Sequence, residues 1–432
     1  MSPSIENKFN SIIRCFLYIL IFWLPYSPAV VEVCVAAALI LWFVKRSLSF
    51  FQAVRQTGHP AGKWPVFLKA FRPKPTFLDG PILCFLAAAL LSLWGSFYIE
   101  QSFHGFLTKT LEWFIVYFLV VEVMDQQRHV EITLRIFLLT ALFVGVDAVL
   151  QFYFLKKDIF LGRELTRGGA TAAFKHANLL GGFTAVAGLL ALTVMGKEGK
   201  GASRLSWLSL GTAITCLWGL VLSFSRGAWL GFLVGLMVSI YLTNRKILVW
   251  GLALLFMAGV LLFTIPSAKT RETLRITKNS LHDTMSWRLG LWQDSLKMIA
   301  DKPVFGHGIN TYMKLFQEYR RKYQGYADYS PTYAHNGYVQ LATETGLLGL
   351  AAFLWIFCRL FKNVIAKAKE LRQNTSSHKL LVSLSAALMV WLVHSGVDTN
   401  LYSLQLSILF WFLVGLLVAE YKIISSTYGD LK

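Results

Sequence analysis

The sequence predicts an all-α integral membrane protein of about twelve transmembrane helices, with one long loop on the outer side of the membrane. Its 432 residues are 55% hydrophobic and only 15% charged, too apolar for a soluble domain, in which charged residues approach a quarter of the chain. Apolar runs of spanning length recur along nearly the whole sequence. The basic residues also sort by side: with both ends in the cytoplasm, 24 Lys and Arg fall inside and 18 outside, 11 of the 18 in one loop. Orientation is set by short loops, so the working contrast is 24 to 7.

The spans are centred near residues 19, 36, 88, 116, 142, 185, 214, 235, 256, 348, 388 and 412. Met1 to Arg14 is short and polar, and the first apolar run leads into the second without a small-residue cleavage pattern. It reads as a retained span rather than a signal peptide. Three regions follow: helices 1–9 over residues 1–265, the loop over 266–332, and helices 10–12 with a cytoplasmic tail over 333–432. The net charge of +19 expresses membrane orientation and attraction to anionic membrane lipids, and does not call for nucleic acid. Cys15, Cys34, Cys84, Cys216 and Cys358 all fall in or beside spans, so no disulfide framework is implied. Cys-x-x-Cys, Asp-x-Asp and helically paired histidines are absent from the sequence, which carries no metal or cofactor signature.

The loop, with 11 basic and 6 acidic residues, is too long to be structureless without a function. From Ser286, the residues Leu289, Trp292, Leu296 and Ile299 recur at helical spacing, and Asp301-Lys302-Pro303 stops that helix. Ile309, Tyr312, Met313, Phe316 and Tyr319 form a second apolar stripe. Two amphipathic helices over the outer mouth of the bundle are expected. Arg288 then falls in the first turn of the first helix, where the helix dipole disfavours a cation. An anion bound there resolves the conflict; a surface pair with Asp283 or Asp294 does so equally. Tyr319, Tyr323, Tyr326, Tyr329 and Tyr333 suit sugar faces or the membrane interface.

Polar residues cluster where spans meet the outer surface. Arg226, in Ser223-Phe224-Ser225-Arg226-Gly227, interrupts an apolar stretch and needs either a structural carboxylate or an anionic ligand. Gly227, Gly231 and Gly235 give the following span a flat packing face. His335 heads a stripe of Asn336, Gln340 and Glu344, four residues apart. A histidine there suits proton acceptance from a hydroxyl or ordinary interfacial hydrogen bonding. Asp398, at the outer end of another span, can orient His335 or an arginine, or be a plain loop carboxylate. Arg163 and Arg167 enlarge the cationic outer surface, although ordinary loop charges explain them as well.

The order of these pieces resembles the O-antigen ligase and polymerase superfamily of bacterial polysaccharide assembly. The resembling residues are Phe174-Lys175-His176-Ala177-Asn178, Ser223 to Ala228, Arg288 with Trp292, Asp301 to Gly308, Ala334 to Tyr338, and Glu344 to Gly349. The match is strongest between residues 170 and 365. The resemblance implies a membrane glycosyltransferase of the type C fold in the bacterial inner membrane, with its active site at the periplasmic face. It implies an undecaprenyl pyrophosphate-linked glycan as donor and no metal, with the lipid A core as the acceptor expected of a ligase. By the same resemblance Arg226 and Arg288 correspond to arginines associated with the pyrophosphate, and His335 to the family histidine. Asp398 matches a family acidic position loosely.

Within the superfamily, a polymerase extending carrier-linked repeats and an enzyme that glycosylates protein remain alternatives. The single long loop favours the ligase. The rival of another class is a twelve-span secondary transporter. No repeated half-sequence is visible, and the long loop follows span nine rather than separating two halves of six.

Overall fold

The computed structural model describes residues 3–57, 63–165, 169–194, 202–243, 278–319, 333–371 and 375–429. Among them the regular elements are helical, and Lys157 and Glu164 form an isolated bridge. Seven helices are long and apolar enough to cross a membrane, and two shorter apolar helices, Asp79–Trp94 and Trp207–Leu222, accompany them. The chain is therefore a multi-pass integral membrane protein.

In chain order the helices are α1 (Pro3–Trp23), α2 (Pro28–Thr57), α3 (Lys63–Phe71), α4 (Asp79–Trp94), α5 (Ile99–Gly105), α6 (Glu112–Val123) and α7 (Gln127–Leu150). A π-helical turn, Phe106–Leu111, makes α5 and α6 continuous. Then come α8 (Ala177–Val194), α9 (Ala202–Leu222), α10 (Arg226–Thr243), α11 (Lys278–Asp301), α12 (Tyr312–Tyr319), α13 (Gly337–Glu370), α14 (Ser376–Ser395) and α15 (Leu404–Gly429). Eleven of the twelve predicted span centres fall on these helices; the centre near 256 lies outside the described residues.

Burial follows composition. α15 is apolar almost all round, and Phe410, Trp411 and Phe412 are fully buried in consecutive positions, as expected of a central helix. α2 and α10 leave large apolar side chains outside, among them Val33, Ile40 and Leu230, where lipid is the solvent that suits them. α10 lies along α14 through its glycine face. A Cβ on Gly231 would stand 2.5 Å from the Val390 carbonyl, and one on Gly235 2.8 Å from that of Ala386. The predicted close-packing role of those glycines is what the structure contains.

One end of the bundle, the site end, gathers the closing turns of α1, α4, α7, α9 and α14 with the opening turns of α2, α5, α8, α10, α13 and α15. Gln405 donates to the Pro25 carbonyl, Tyr26 meets Phe160, Lys302 donates to the Gly95 carbonyl, and Ala170 N–H donates to the Leu222 carbonyl. At the opposite end, Lys45 and Arg46 both bond Glu122, and Lys74 donates to the Glu122 carbonyl.

The loop helices are present, with two corrections. α11 begins at Lys278 rather than at Ser286, so Arg288 sits in its third turn and the helix-dipole argument for an anion at Arg288 does not apply. The expected apolar stripe is also not the buried face, because Leu289 and Leu296 are exposed while Leu291, Asp294, Ser295 and Met298 are buried. Of the predicted stripe Leu289 and Leu296 face outward and Trp292 packs partly buried, while Asp294 and Ser295 turn inward. Leu291 and Met298 pack with Tyr312, Leu315 and Phe316 of α12 and with Ala334. Ile309, Tyr312 and Phe316 of the second stripe are buried and Met313 is exposed. Arg167, Tyr323, Tyr326, Tyr329 and the side chains of Tyr319 and Asp283 lie outside the described residues.

Candidate active site

The site is built on a broken helix. Gly346 in α13 has φ 70° and ψ 179°, which interrupts the helical hydrogen-bond ladder. The segment Pro303 to Gly308 satisfies the groups this releases. The N–H groups of His307 and Gly308 donate to the carbonyls of Thr343 (3.0 Å) and Glu344 (2.9 Å), while Leu347 N–H donates to the Pro303 carbonyl (2.8 Å). Gly306, at φ 71°, lies so close that a Cβ would stand 2.5 Å from the Glu344 carbonyl. Glu344, fully buried, accepts from Asn310 N–H (2.9 Å), the Tyr402 hydroxyl (2.8 Å) and Gln340 (3.2 Å). The lower part of the polar stripe, Gln340 and Glu344, is thus engaged in hydrogen bonds within the protein. Asn336 caps α13 by accepting from the N–H groups of Tyr338 and Val339.

This scaffold fixes the backbone on both sides of His335. Ala334 N–H donates to Gln340 (3.2 Å), Trp292 Nε1 donates to the Ala334 carbonyl (3.0 Å), and Gly337 N–H donates to the Asp398 carbonyl (3.1 Å). His335 itself adopts φ 49°, a left-handed conformation that costs a non-glycine residue energy and persists only when its surroundings impose it. Its Nδ1 lies 3.5 Å from Asp398 Oδ1, and its ring meets that of Trp287 at 5.2 Å. Nε2 has no protein hydrogen-bond partner among the described residues, and 29% of the side chain is exposed.

Asp398 sits in the turn after α14. Burial pushes its carboxyl up, but contact with His335, the nearby His394 ring and a 2.7 Å bond from Thr399 N–H outweigh burial and hold it at about 2. It is a carboxylate throughout the neutral range. Behind it, the buried His394 lies 3.5 Å from Ser225 Oγ through Nε2 and 2.8 Å from the Asn400 amide through Nδ1. Glycines make this packing possible: a Cβ on Gly182 would stand 2.9 Å from the His394 ring.

The two arginines converge beside the histidines. Arg226 opens α10 with an exposed side chain, and Arg288 projects from α11 half-buried, its buried Nε without a hydrogen-bond partner. Their chain neighbours place them at the two histidines: a Cβ on Gly227, next to Arg226, would stand 3.0 Å from the His394 ring, and Trp287, next to Arg288, meets His335. Among the described residues neither arginine has a carboxylate within ion-pair distance. Arg163 stands differently: it donates to the Ala173 carbonyl (2.8 Å), and its own N–H is held by Asp158 (2.6 Å). It secures the loop that Gln151 also pins through the N–H groups of Thr171 and Ala172 and that abuts Leu222.

Residues 211–354 match the family model described as O-antigen ligase. The chain carries an O-antigen ligase family domain. That domain includes Arg226, Arg288, His335 and Glu344, whereas Asp398 and His394 lie beyond the matched residues. A Rickettsia conorii protein named "putative polysaccharide ligase" is 26% identical over 238 residues, covering 53% of this chain and 56% of that protein. A Rickettsia bellii protein of the same name is 29% identical over 160 residues, 35% of this chain and 38% of that one. An uncharacterized Haemophilus influenzae protein is 27% identical over 153 residues, 31% of this chain and 37% of that one. The matches thus span 37% to 56% of these relatives' lengths.

Around the family domain, the sequence reading of the site lacked Ser225 and Asn400 as partners of His394, and Trp287 beside His335. The four-residue spacing of His394 and Asp398 was a usable signal, since it puts both on one helical face. Nothing in the spacing announces that Asn310 and Tyr402 meet at Glu344.

Proposed function

We propose that the chain is an O-antigen ligase, transferring a glycan from undecaprenyl pyrophosphate to a hydroxyl of the lipid A core. In this proposal it is a twelve-span glycosyltransferase of the type C membrane fold. It lies in the bacterial inner membrane with both termini cytoplasmic and the site end periplasmic. The observation that carries the proposal is two arginines at the site end, without carboxylate partners among the described residues and with Arg288 Nε buried and unbonded, near a histidine whose Nε2 is open.

The acceptor hydroxyl attacks the anomeric carbon while the bond from that carbon to the pyrophosphate oxygen breaks, and the electron pair leaves with the lipid pyrophosphate. Arg226 and Arg288 neutralise the charge growing on that leaving group through guanidinium hydrogen bonds, a stabilisation that asks nothing of a metal ion. His335 Nε2 takes the hydroxyl proton. Asp398, ionised beside Nδ1, favours the tautomer that leaves Nε2 basic and then stabilises the imidazolium. Attack opposite the leaving group inverts the anomeric centre. General-base assistance contributes about 100- to 10,000-fold. We assign Arg163, in the loop bordering Ser223 to Ser225, to the cationic rim that faces the donor, and give Arg167 a donor-binding role from its sequence alone.

Reconstitution with a carrier-linked glycan, with and without lipid A core, tests the assignment. Capping of the core is the expected result. Lengthening of the carrier-linked chain instead identifies a polymerase, transfer to added protein identifies a protein glycosylation enzyme, and no transfer at all reopens the transporter.

A further inference from the structure

The end of the bundle opposite His335 holds a second group of cations. Lys45, fully buried, donates to Glu122 Oε1 at 2.7 Å and to Asn10 at 2.9 Å. Arg46 reaches the same carboxylate oxygen at 2.7 Å and lies over the Trp42 ring at 5.4 Å. Lys74 donates to the Glu122 carbonyl at 2.7 Å, and Lys422 to the adjoining Pro75 carbonyl at 3.1 Å. Glu122 acts on both Lys45 and Lys422, with Glu6 acting also on Lys45 and Asp79 also on Lys422. Asp79 is itself engaged by the Thr76 hydroxyl and N–H. Four cations, Lys45, Arg46, Lys74 and Lys422, therefore gather at Glu122 and the adjoining Pro75 carbonyl. Each of the Lys74 and Lys422 ammonium groups uses one of its three donors on protein and remains half-exposed.

The surface beside them is apolar in the manner of a membrane interface. α3 packs its Phe67 against Phe50 of α2 (5.7 Å), and Phe71 packs against Phe43 (5.1 Å). Trp64, Leu68 and Phe51 stay exposed, and Trp64 is linked to Arg46 through the rings of Phe67, Phe71 and Trp42. An exposed aromatic and aliphatic face beside spare ammonium groups fits a molecule with acyl chains and an anionic phosphate head.

We infer that Arg46, Lys74 and Lys422, held over Glu122, form a binding site for the phosphate of an anionic membrane lipid on the face opposite His335. The phosphate takes the unused N–H donors of Lys74 and Lys422, and the acyl chains lie along Phe51, Trp64 and Leu68. Glu122 orders the cations from beneath and is not itself a ligand. This site is separate from the donor site, so it stands or falls apart from the ligase proposal.

The test is lipid retention by full-length protein in nanodiscs of phosphatidylcholine, alone or mixed with phosphatidylglycerol, read by native mass spectrometry. Wild type should retain phosphatidylglycerol preferentially. Lys74→Gln or Lys422→Gln should each lower that preference about fivefold, and the double variant about 25-fold. Lys74→Arg with Lys422→Arg, which keeps the charge, should preserve the preference and shows that these positions tolerate substitution. Three results overturn the inference: an unchanged preference in the double glutamine variant; an equal loss from Lys69→Gln, whose exposed side chain on α3 reports only general surface charge; or equal occupancy by inorganic phosphate in phosphatidylcholine discs.

Discussion

At the far end, Lys45 and Arg46 share one oxygen of Glu122, each at 2.7 Å, whereas at the site end Arg226 and Arg288 have no carboxylate partner among the described residues. Both ends concentrate positive charge where the bundle meets its surface. Removing a cation from water is expensive unless something answers it. Glu122 answers buried Lys45 at the far end, and that pair holds α2 against α6. Among the described residues no carboxylate answers Arg226 or Arg288, and the difference separates a buried ion pair that serves folding from an arginine pair open to an anion.

Substitutions should divide along the same line. His335→Ala should lower transfer by about 100- to 10,000-fold while leaving membrane insertion near wild type; a rate within a few-fold of wild type would remove the general-base role. Glu122→Gln should act through stability instead, costing about 3–5 kcal/mol because it leaves buried Lys45 without its counter-charge, as seen in thermal unfolding. Arg226→Lys or Arg288→Lys should weaken donor use by about 10- to 100-fold in kcat/KM, since a point charge does not reproduce the planar fork.

Asp398 contributes a pH dependence whose sign follows from its depressed value of about 2. An unfolded aspartate titrates near 3.9, so the stabilisation, about 2–3 kcal/mol, is present above about pH 4 and is lost as pH falls toward 2. Asp398→Asn should remove the difference in melting temperature between neutral and acidic buffers that wild type owes to this group. The smallest expected effect is the most telling for the comparison. Arg226→Gln should raise the thermal stability of the ligand-free protein by up to about 1 kcal/mol, because it removes a cation that no described carboxylate answers. A loss of stability there would mean that Arg226 has a structural partner like those of Arg46.

Much of the fold was legible because lipid enforces it: spans must be apolar and helical, and eleven of twelve centres fall on helices. The glycine face of α10 was legible for the same reason, since small residues at four-residue spacing have few other uses. What misled was the loop, where an apolar stripe in water would mark the core. In α11 Leu289 and Leu296 face outward, and the buried face carries Leu291 and Met298 together with Asp294 and Ser295, a face that the apolar spacing alone does not select. The start of α11 at Lys278 removed the dipole argument for Arg288, and the geometry around Arg226 supplied a different reason to expect an anion. His335 and Asp398 could be named from sequence. Their closeness depends on the break at Gly346 and on Pro303 to Gly308 bracing it, contacts between distant segments that no local pattern encodes.

The central claim is that the unanswered arginine pair is a pyrophosphate site. Binding of undecaprenyl pyrophosphate and undecaprenyl monophosphate to wild type and to the Arg226→Gln, Arg288→Gln double variant, in the same nanodiscs and at fixed ionic strength, measures it directly. Wild type should prefer the pyrophosphate by about 10- to 100-fold, the worth of one set of charge-assisted hydrogen bonds, and the double variant should bind both alike. A pyrophosphate preference that survives the loss of both guanidinium groups would contradict the claim.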